Sequence, residues 1–384
     1  MLPEDWKKRS VAEVCRSVSV GVVIKPSQYY VSASEGIKAF RSANVKEGQV
    51  NNSDWVYFSH KGHNENKKSE LKTGDVLVVR TGYPGTACVV TPQYAGCNAI
   101  DIVIARPDIQ KIIPTYLCLF TNSEYGKSQV EIPLPPLPEQ KKIAAILSTW
   151  DRAIEGTEKL LANSQQQKKA LMQQLLTGKK RLPGFTGEWK TLRLSDISKL
   201  GTGNTAPQEA HYFSETGHDF LRVSDLGAST GRWAPSSRDK ITVQAINDHR
   251  MSPAPNGATL FTKSGASLLL NQRAQIKSET FIVGHLGYAK AKKGYCDNYL
   301  FYILTEIDFS KIASGTSLPA LKISDLGKKI LHIPPLPEQK AIAAVLTTAD
   351  EEITALKSDL SRLRAEKKAL MQQLLTGKRR VTVD

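Results

Sequence analysis

Both halves of this sequence contain side chains that can bind a polyanion. Arg, Lys, Asn and Gln make paired hydrogen bonds to purine edges, and Lys and Arg also bind phosphate. The competing interpretation of such residues is a solvated surface. The candidate DNA-contacting residues are Lys61, His63, Lys67, Lys68, Arg80, Tyr83, Arg222, Ser224, Arg238, Lys240, Lys263, Asn271, Gln272 and Arg273.

The overall charge of the chain points to the same kind of partner. The 384 residues carry a formal net charge of +15 and give a pI near 9.4. An excess of this size favours a polyanionic partner, nucleic acid above all. A membrane-surface role is disfavoured, because no predicted helix sets a broad apolar face against a purely basic one.

Motifs of catalysis are missing from the sequence. It contains no GxxxxGK[ST] phosphate loop, no GxSxG elbow, and none of the proline-proline-aromatic tetrapeptides that amino-methyltransferases use. The glycine-rich stretches GTGNT and TGYPGT are interpreted as turns, and HKGH as a polar loop. The five cysteines form no CxxC pair, so no metal site is indicated. We therefore expect no catalytic residue, no metal and no cofactor on this chain.

The sequence also predicts where the protein works. No apolar run reaches the roughly 18 residues that cross a bilayer. The first residues, MLPEDWKKRS, lack the apolar core of a secretory signal. Scattered cysteines fit a reducing compartment, so we expect a cytoplasmic protein without a membrane partner.

An internal repeat dominates the organisation of the chain. Shifted by 199 residues, 135–179 aligns without a gap on 334–378, and 27 of the 45 positions are identical. The shared ends read PPLPEQK and KKALMQQLLTGK. A repeat of this length indicates that the chain is built from two similar structural units.

A weaker repeat lies upstream, at an offset of 183. Trp6 aligns with Trp189 at that offset, and KTGDVLVVRTG aligns with PNGATLFTKSG. The two offsets differ by 16, so the first half lacks a counterpart of Ser314–Ile330. Either the first domain is a shortened version, or a loop is missing from this sequence.

The repeated segments predict two long helices with a coiled-coil seam. Apolar residues alternate at spacings of four and three for more than four heptads. Antiparallel packing of the two copies is expected, and dimerisation with another chain is the alternative. The residues predicted for this seam and for partner docking are Ile143, Leu147, Ile154, Leu161, Leu171, Leu175, Ile342, Leu346, Ile353, Leu360, Leu370 and Leu374.

Matched signals mark both ends of each helix. Pro138 or Pro337 suits a first turn, and Gly178 or Gly377 suits a left-handed cap. The prolines ahead of each helix are interpreted as a stiff polyproline joint, with a ligand for an SH3-type groove as the alternative.

We therefore predict an α+β protein with a pseudo-two-fold internal repeat. Two globular domains are separated by a long antiparallel two-helix coiled coil. The predicted boundaries are 1–131 and 181–331 for the globular domains, 132–180 and 332–380 for the spacer helices, and 381–384 for the tail.

This pattern resembles the specificity (S) subunit of type I restriction–modification systems. The resemblance covers the whole chain and is carried by PLPPLPEQKKIAAIL, IPPLPEQKAIAAVL and the LMQQLLTG endings. The segments GIKAFRSANV, DFLRVSDLG and TSLPALKISDL are also typical of its target-recognition domains.

The resemblance implies a non-catalytic protein that reads a bipartite, asymmetric site in double-stranded DNA. It also implies that two methyltransferase (modification) subunits dock on the helical spacer and that restriction/translocase subunits join outside. S-adenosylmethionine and ATP with Mg would then be bound by those partners. The competing hypothesis is a coiled-coil scaffold that does not bind DNA.

Overall fold

Two long helices organise the structure, and each begins in one unit and ends in the other. The computed structural model describes residues 2–129, 131–229, 231–315 and 319–382. The first unit comprises Met1–Glu158 and Asp359–Asp384, and the second unit is Lys159–Ser358. The domain boundaries predicted above follow sequence alone and stay a prediction.

The first half of the chain supplies a mixture of strands and helices that ends in the first long helix. Its elements are β1 (Lys7–Ser10), α1 (Val11–Val14), β2 (Cys15–Val20), β3 (Tyr30–Val31), β4 (Gly36–Phe40), β5 (Val45–Lys46), β6 (Gln49–Val50), β7 (Val56–Ser59), α2 (His60–Glu65), β8 (Val76–Val79), β9 (Ala87–Val89), β10 (Asn98–Ala99), β11 (Ile102–Pro107), α3 (Pro114–Asn122), α4 (Glu124–Lys127), β12 (Glu131–Leu134) and α5 (Leu137–Leu175).

The second half repeats this order with differences in its middle. Its elements are β13 (Lys190–Arg193), α6 (Leu194–Ile197), β14 (Ser198–Thr202), β15 (Phe213–Leu221), α7 (Val223–Gly227), β16 (Asp239–Ile241), α8 (Val243–Asp248), β17 (Thr259–Thr262), β18 (Arg273–Gln275), β19 (Phe281–Ile282), β20 (Leu286–Ala291), α9 (Asp297–Glu306), α10 (Ile323–Gly327), β21 (Ile330–Ile333) and α11 (Leu336–Leu375).

One four-stranded antiparallel sheet is the same in both units, and we call it the common sheet. Its strand order is β2-β11-β8-β9 in the first unit and β14-β20-β17-β18 in the second. At the offset of 183, β8 coincides with β17 residue for residue. These short runs are almost wholly buried, which is how strands that are covered on both faces appear in a sequence.

A second sheet differs between the units, and we call it the divergent sheet. Its order is β10-β4-β7-β3 in the first unit and β16-β15-β19 in the second. Each contains one parallel pair, β10 with β4 and β19 with β15. The upstream repeat therefore weakens in sequence where the architecture itself changes.

The main core of each unit joins the common sheet to the long helices. In the first unit, Trp6, Tyr116 and Leu147 belong to one buried cluster, which α3 and both long helices share. In the second unit, Tyr299 and Leu346 occupy the matching cluster. The helix seam thus continues into the core of each unit.

In the first unit the two long helices run antiparallel. Lys367 Nζ lies 2.5 Å from Asp151 Oδ1, and Arg364 Nη2 lies 2.5 Å from Glu158 Oε1. Residue numbers rise along α5 while those of its α11 partners fall. This direction matches the antiparallel packing predicted from the heptads.

The second unit shows the same direction. Lys168 Nζ lies 2.5 Å from Asp350 Oδ1, and Ser164 Oγ donates a 2.8 Å hydrogen bond to Glu352. Lys168 and Lys367 interrupt the apolar seam in equivalent places, and each finds an equivalent aspartate. The α+β fold class with its internal repeat and long antiparallel helices is confirmed.

The helix ends follow the predicted signals, and a paired strand precedes the prolines ahead of each helix. Gly178 and Gly377 both have φ of 72°, the left-handed conformation that glycine adopts without strain. Before the prolines, β12 pairs with β1 and β21 pairs with β13, and the polyproline joint stays a prediction. Each helix therefore leaves its unit from an anchored strand.

Two equivalent buried tyrosines differ in one hydrogen bond. Tyr116 Oη donates to the Pro133 carbonyl at 2.7 Å, whereas Tyr299 Oη has no partner among the described residues. We expect Tyr116→Phe to lower the free energy of unfolding by about 1 kcal/mol, since a net buried hydrogen bond has that value. Tyr299→Phe is expected to leave it unchanged or raise it. Urea unfolding of both variants checks this, and an equal loss would contradict it.

The cysteines are free and mostly buried. Cys15, Cys88, Cys97 and Cys118 are buried, and Cys296 is half-buried. Burial raises the pKa of the Cys15 thiol to about 11. Among the residues that the structure describes, no helix is long and apolar enough to cross a membrane.

Candidate nucleic-acid interface

A loop at the end of one common-sheet strand carries a basic side chain in both units. Arg80 follows β8 and Lys263 follows β17, at the same offset of 183. Two residues further on, Gly82 has φ of 92° and Gly265 has φ of 81°. Only glycine adopts this conformation readily, so both loops depend on a glycine two residues after the basic side chain.

In the first unit this loop is open to solvent. The exposed Arg80 lies 2.5 Å from Asp101 Oδ1, and Thr81 Oγ1 donates to the same carboxylate at 3.4 Å. Tyr83 is 84% exposed at the tip of the loop. Exposed ion pairs of this kind contribute about 0–1 kcal/mol, so Arg80 can exchange Asp101 for a phosphate at little cost.

In the second unit an additional segment lies along the equivalent loop. The Leu321 N–H donates to the Lys263 carbonyl at 2.7 Å, and the Gly265 N–H donates to the Pro319 carbonyl at 3.0 Å. These contacts come from Ser314–Ile330, the segment without a counterpart in the first half. Within the described residues, no carboxylate lies within 4 Å of the Lys263 ammonium, which leaves it available to an anion.

Part of that additional segment falls outside the described residues. Residues 316–318 of TSLPALKISDL are among those that the structure does not describe. The rest of the quoted segment continues into α10 and then into β21. The second loop is thus backed by extra chain, and the first is not.

A basic pocket opens beside the divergent sheet of the second unit. Its volume is about 450 Å³. Lys240 lies at its edge, half-buried, with no carboxylate of the described residues within 4 Å. The residues lining this pocket are Phe213, Ser214, Glu215, Arg222, Arg238, Asp239 and Lys240.

The two arginines of the pocket are held by carboxylates and a hydroxyl. Arg222 forms an ion pair with Asp239. Arg238 Nε donates to the buried Asp225 at 2.8 Å, and its Nη2 donates to Ser224 Oγ. These contacts fix both guanidinium groups while leaving part of each exposed. Ser224 therefore orients Arg238, in addition to being a candidate contact itself.

The first unit has an arginine equivalent to Arg222 that sequence reasoning missed. Arg41 Nη2 donates to Asp54 Oδ2 at 2.8 Å. The Arg41 N–H donates to Asn44 Oδ1 and the Arg222 N–H to Asp225 Oδ2, both at 2.9 Å. Aligning the two segments GIKAFRSANV and DFLRVSDLG with each other would have found it.

Exposed lysines follow the divergent sheet of the first unit. Lys61, Lys67 and Lys68 are all exposed, on α2 and the turn after it. Lys61 lies 4.0 Å from Glu65, one helical turn away, which is a weak restraint. Gln272 in the second unit is half-buried and also stays a candidate.

His63 is removed from the candidate contacts by its burial. The side chain is 11% exposed. Its Nδ1 lies 3.2 Å from Asn98 Nδ2, and its Nε2 lies 3.9 Å from Glu70. His63 thus fixes the packing of α2 against the divergent sheet.

Asn271 and Arg273 also have structural roles in place of the predicted contacts. The Arg273 guanidinium stacks 3.5 Å from the centre of the Phe309 ring, and its Nη2 donates to the Ile307 carbonyl at 3.2 Å. Burial lowers the pKa of Arg273. Asn271 Nδ2 donates to Asp308 at 2.8 Å. Both side chains bind the turn after α9, where Arg273 is buried and Asn271 is half-buried.

The residues predicted for the helix seam pack inside the structure. Because the buried ones are covered, a docking surface must use the opposite, exposed sides of the helices. The buried members are Ile143, Leu147, Leu175, Ile342, Leu346, Ile353, Leu360 and Leu374, and the half-buried members are Ile154, Leu161, Leu171 and Leu370.

A buried glutamate at the start of α5 binds a tryptophan and an arginine, and we call Asp5, Trp6, Glu139 and Arg380 the first lock. Glu139 accepts a 3.1 Å hydrogen bond from Trp6 Nε1. It also accepts two from Arg380, at 2.7 and 2.8 Å. Arg380 donates to Asp5 as well, at 2.8 and 2.7 Å. The pKa of Asp5 is lowered by this contact with Arg380.

The second lock has the same chemistry at the start of α11. Glu338 accepts from Trp189 Nε1 at 3.2 Å and from Arg181 Nε and Nη2 at 3.0 and 2.6 Å. Each lock joins the end of one long helix to the beginning of the other. The sequence alone gave no indication that Glu139 and Glu338 join the helices.

The glutamine beside each lock attaches the helix to the body of its unit. Gln140 Oε1 accepts from the Ile113 N–H at 2.9 Å, and Gln339 Oε1 accepts from the Cys296 N–H at 3.0 Å. Both amide groups also donate to the carbonyl of the first proline of the repeat, at 2.9 Å. The repeated PLPEQK is therefore a joint whose polar atoms are fixed.

Among the described residues, no group of three or more His, Cys, Asp or Glu side chains is arranged to hold a metal ion. The distinctive chemistry of the chain is thus its two basic surfaces and its two locks. Repetition of both within one chain defines a two-module protein with paired antiparallel helices.

Comparison with known proteins gives this class a family. The profile of the type I restriction modification DNA specificity domain matches residues 3–163 and 186–362. The chain therefore belongs to that family, and the resemblance seen in the sequence is confirmed.

Two curated relatives come from Methanocaldococcus jannaschii. The type I restriction enzyme MjaIX specificity subunit is 29% identical over 270 residues, which cover 66% of this chain and 61% of that protein. The MjaVIII specificity subunit is 27% identical over 278 residues, covering 66% of this chain and 63% of that protein. The chain thus matches about three fifths of the length of each relative.

Solved structures share the fold across the whole chain. A chain from a study of complex assembly and conformational transition of the type I R-M system has a TM-score of 0.59 and 19% identity, covering 99% of this chain and 100% of its own. The type I restriction–modification S subunit from M. genitalium has a TM-score of 0.59 and 12% identity, and the match covers 98% of both chains. At these identities the likeness shows the fold.

Proposed function

We propose that this chain is the subunit that reads DNA sequence in a type I restriction–modification complex. The single observation that carries the proposal is the repeated basic loop beside a divergent sheet. Arg80 and Lys263 follow matched strands of a common sheet, while the sheets next to them differ. Shared basic residues suit the phosphate backbone, and differing surfaces suit two different half-sites. The site would then be bipartite and asymmetric in double-stranded DNA.

Two methyltransferase subunits are proposed to dock on the exposed sides of the long helices. Lys169 and Lys368, and likewise Gln173 and Gln372, are identical at the offset of 199 and exposed in both copies. Identical surfaces repeated once on a single chain suit two identical partners. The finding supports a docking role for these exposed positions, with the seam residues supporting them from inside.

The remaining parts of the reaction are assigned to partners in this proposal. S-adenosylmethionine would be bound by the methyltransferase subunits, and ATP with Mg by the restriction/translocase subunits. This chain itself would catalyse nothing and would work in the cytoplasm, where its free thiols stay reduced.

Methylation mapping of a host with and without the gene tests the proposal. The expected result is one gapped, bipartite motif that is methylated only when the gene and its methyltransferase partner are present. A purified chain that binds no DNA, together with an unchanged methylation map, would favour the coiled-coil scaffold.

Neutralising the two matched basic residues is expected to weaken DNA binding without altering sequence preference. Arg80→Gln and Lys263→Gln should each reduce the slope of log K against log salt by about 1, since one phosphate contact contributes about 0.9. Fluorescence anisotropy across a salt series measures this for the purified chain. Lys169→Gln, on an exposed helix face, is the control and should leave the slope unchanged. A slope that stays the same in both test variants would place the phosphate contacts elsewhere.

A further inference from the structure

A buried arginine connects the outer part of the second unit to α11. Arg232 is 7% exposed. Its Nε and Nη2 donate to Gln275 Oε1 at 2.9 and 2.6 Å, and its Nη1 donates to Thr347 Oγ1 at 2.7 Å. Gln275 belongs to β18 of the common sheet and Thr347 to α11, so one guanidinium joins the common sheet to that helix.

The segment around this arginine is pinned on both sides, and we call residues 231–235 the strap. The Gln275 N–H donates to the Arg232 carbonyl at 2.8 Å, and the Ala234 N–H donates to the Gln275 carbonyl at 3.0 Å. The strap lies in the chain between α7 and β16, and β16 is a strand of the divergent sheet. It therefore links the divergent sheet to the helix through a short, fixed stretch of chain.

Aromatic rings surround the guanidinium. Its central carbon lies 4.8, 5.4 and 5.5 Å from the ring centres of Trp233, Phe301 and Tyr302. No carboxylate of the described residues lies within 4 Å of it. A buried charge held by amide, hydroxyl and ring groups tolerates few alternative positions, because losing any of them leaves it poorly solvated.

The contact continues into the ion pair between the helices. Tyr302 Oη donates to Asp350 Oδ2 at 2.7 Å and lies 3.3 Å from Thr347 Oγ1. Asp350 is the partner of Lys168 in the helix seam. Displacing Arg232 would therefore disturb the hydrogen bonds that hold the seam in its present alignment.

The first unit has no corresponding connection among the residues described. At the repeat offsets, Ser148 occupies the place of Thr347 and Leu119 that of Tyr302. The hairpin of β5 and β6 occupies the corresponding stretch of chain. It turns towards the common sheet, where the Gly48 N–H donates to the Ala87 carbonyl at 2.9 Å.

We propose that Arg232 is a positioning residue that sets the angle of the second divergent sheet on α11, and through it the gap length that the protein accepts between half-sites. This inference rests on the proposed function. A module held at one angle presents its reading surface at one place along the duplex. Loosening the strap should then relax the choice of gap length while the bases read in each half-site stay the same.

The test uses Arg232→Met in the complete chain assembled with its methyltransferase partner. Methylation rates are measured on duplexes with the mapped half-sites and gaps one base pair shorter, equal and one base pair longer. The preference for the natural gap is expected to fall at least about tenfold, since Arg232→Met removes three hydrogen bonds and losing one bond to a charged group already corresponds to about that ratio. The half-site bases are expected to be unchanged.

Matched variants separate this role from a general loss of structure. Thr347→Val removes the hydroxyl on α11 with little change of shape and should give part of the same effect. Adding Thr347→Val to Arg232→Met should change the gap preference little further, since both substitutions remove the same hydrogen bond between Arg232 and Thr347. Ser148→Val in the first unit should leave the gap preference as it is.

Several outcomes would overturn the inference. One is a folded Arg232→Met protein whose gap preference stays within twofold of the natural chain. Another is an altered half-site base, which would make Arg232 a DNA contact. If Arg232→Met does not fold, an unaltered gap preference in Thr347→Val overturns it equally. Absence of any bipartite motif with the natural chain would instead refute the proposed function.

Discussion

Glu338→Gln is expected to lower the free energy of unfolding by about 1.5–3 kcal/mol, the contribution of a hydrogen bond to a charged group. The Glu338 side chain is fully buried, and Arg181 beside it is 30% exposed. Contact with Glu338 raises the pKa of Arg181, and the glutamine variant replaces this charged acceptor with a neutral amide oxygen. Urea unfolding followed by tryptophan fluorescence measures the loss, with an unchanged m-value showing that the native fold is retained.

Glu139→Gln is the matched variant and should lower the free energy of unfolding by less than Glu338→Gln does. Arg380 also binds Asp5, so it keeps one carboxylate when Glu139 is neutralised. We expect a loss of about 0.5–1.5 kcal/mol, as for an ordinary hydrogen bond. An equal or larger loss than in Glu338→Gln would show that Asp5 does not compensate. A loss below about 1 kcal/mol in both would mean that the locks contribute little to stability.

The locks show where sequence reasoning stops. The long helices and their ends could be predicted, because heptad spacing and a terminal glycine are local signals that the fold preserves. The repeat offset of 183 also anticipated the correspondence of β8 with β17. The partners of Glu139 could not be predicted in this way, because Trp6 and Arg380 lie far from it in sequence and only the fold brings them together.

The candidate contacts show a second limit. Residue type selects side chains that could bind DNA, but it does not report whether they are exposed. Arg273 is covered by Phe309, 36 positions further along the chain, and His63 packs on Asn98. Arg41 was missed for the opposite reason, since only comparison of the two halves distinguishes it from the other arginines on the surface.

The paired strand ahead of each proline joint could not be predicted for a related reason. Consecutive prolines favour an extended polyproline backbone when the segment is taken alone. In the structure, β12 is already extended and pairs with β1, more than a hundred residues earlier in the chain. A partner strand at such a distance cannot be inferred from the composition of the segment itself.

Exchanging residues 21–75 for the matching segment of another family member is expected to replace one half-site of the methylated motif completely. This segment contains β3, β4 and β7 of the first divergent sheet and the lysines on and after α2. It leaves out every strand of the common sheet and both locks. The second half-site and the gap should therefore be unchanged, because the elements that hold the helices are retained. Methylation mapping of the host that carries the exchanged gene measures all three features at once.

A matched exchange makes the result specific. Replacing residues 7–20, which form β1, α1 and β2, alters the first unit without touching the divergent sheet. This control should keep both half-sites, although it can lower the methylation rate through weaker packing. If the control changes the motif and the exchange of 21–75 does not, the bases are read from the common sheet. The proposal that shared basic residues bind phosphate while the divergent sheets read the bases would then be wrong.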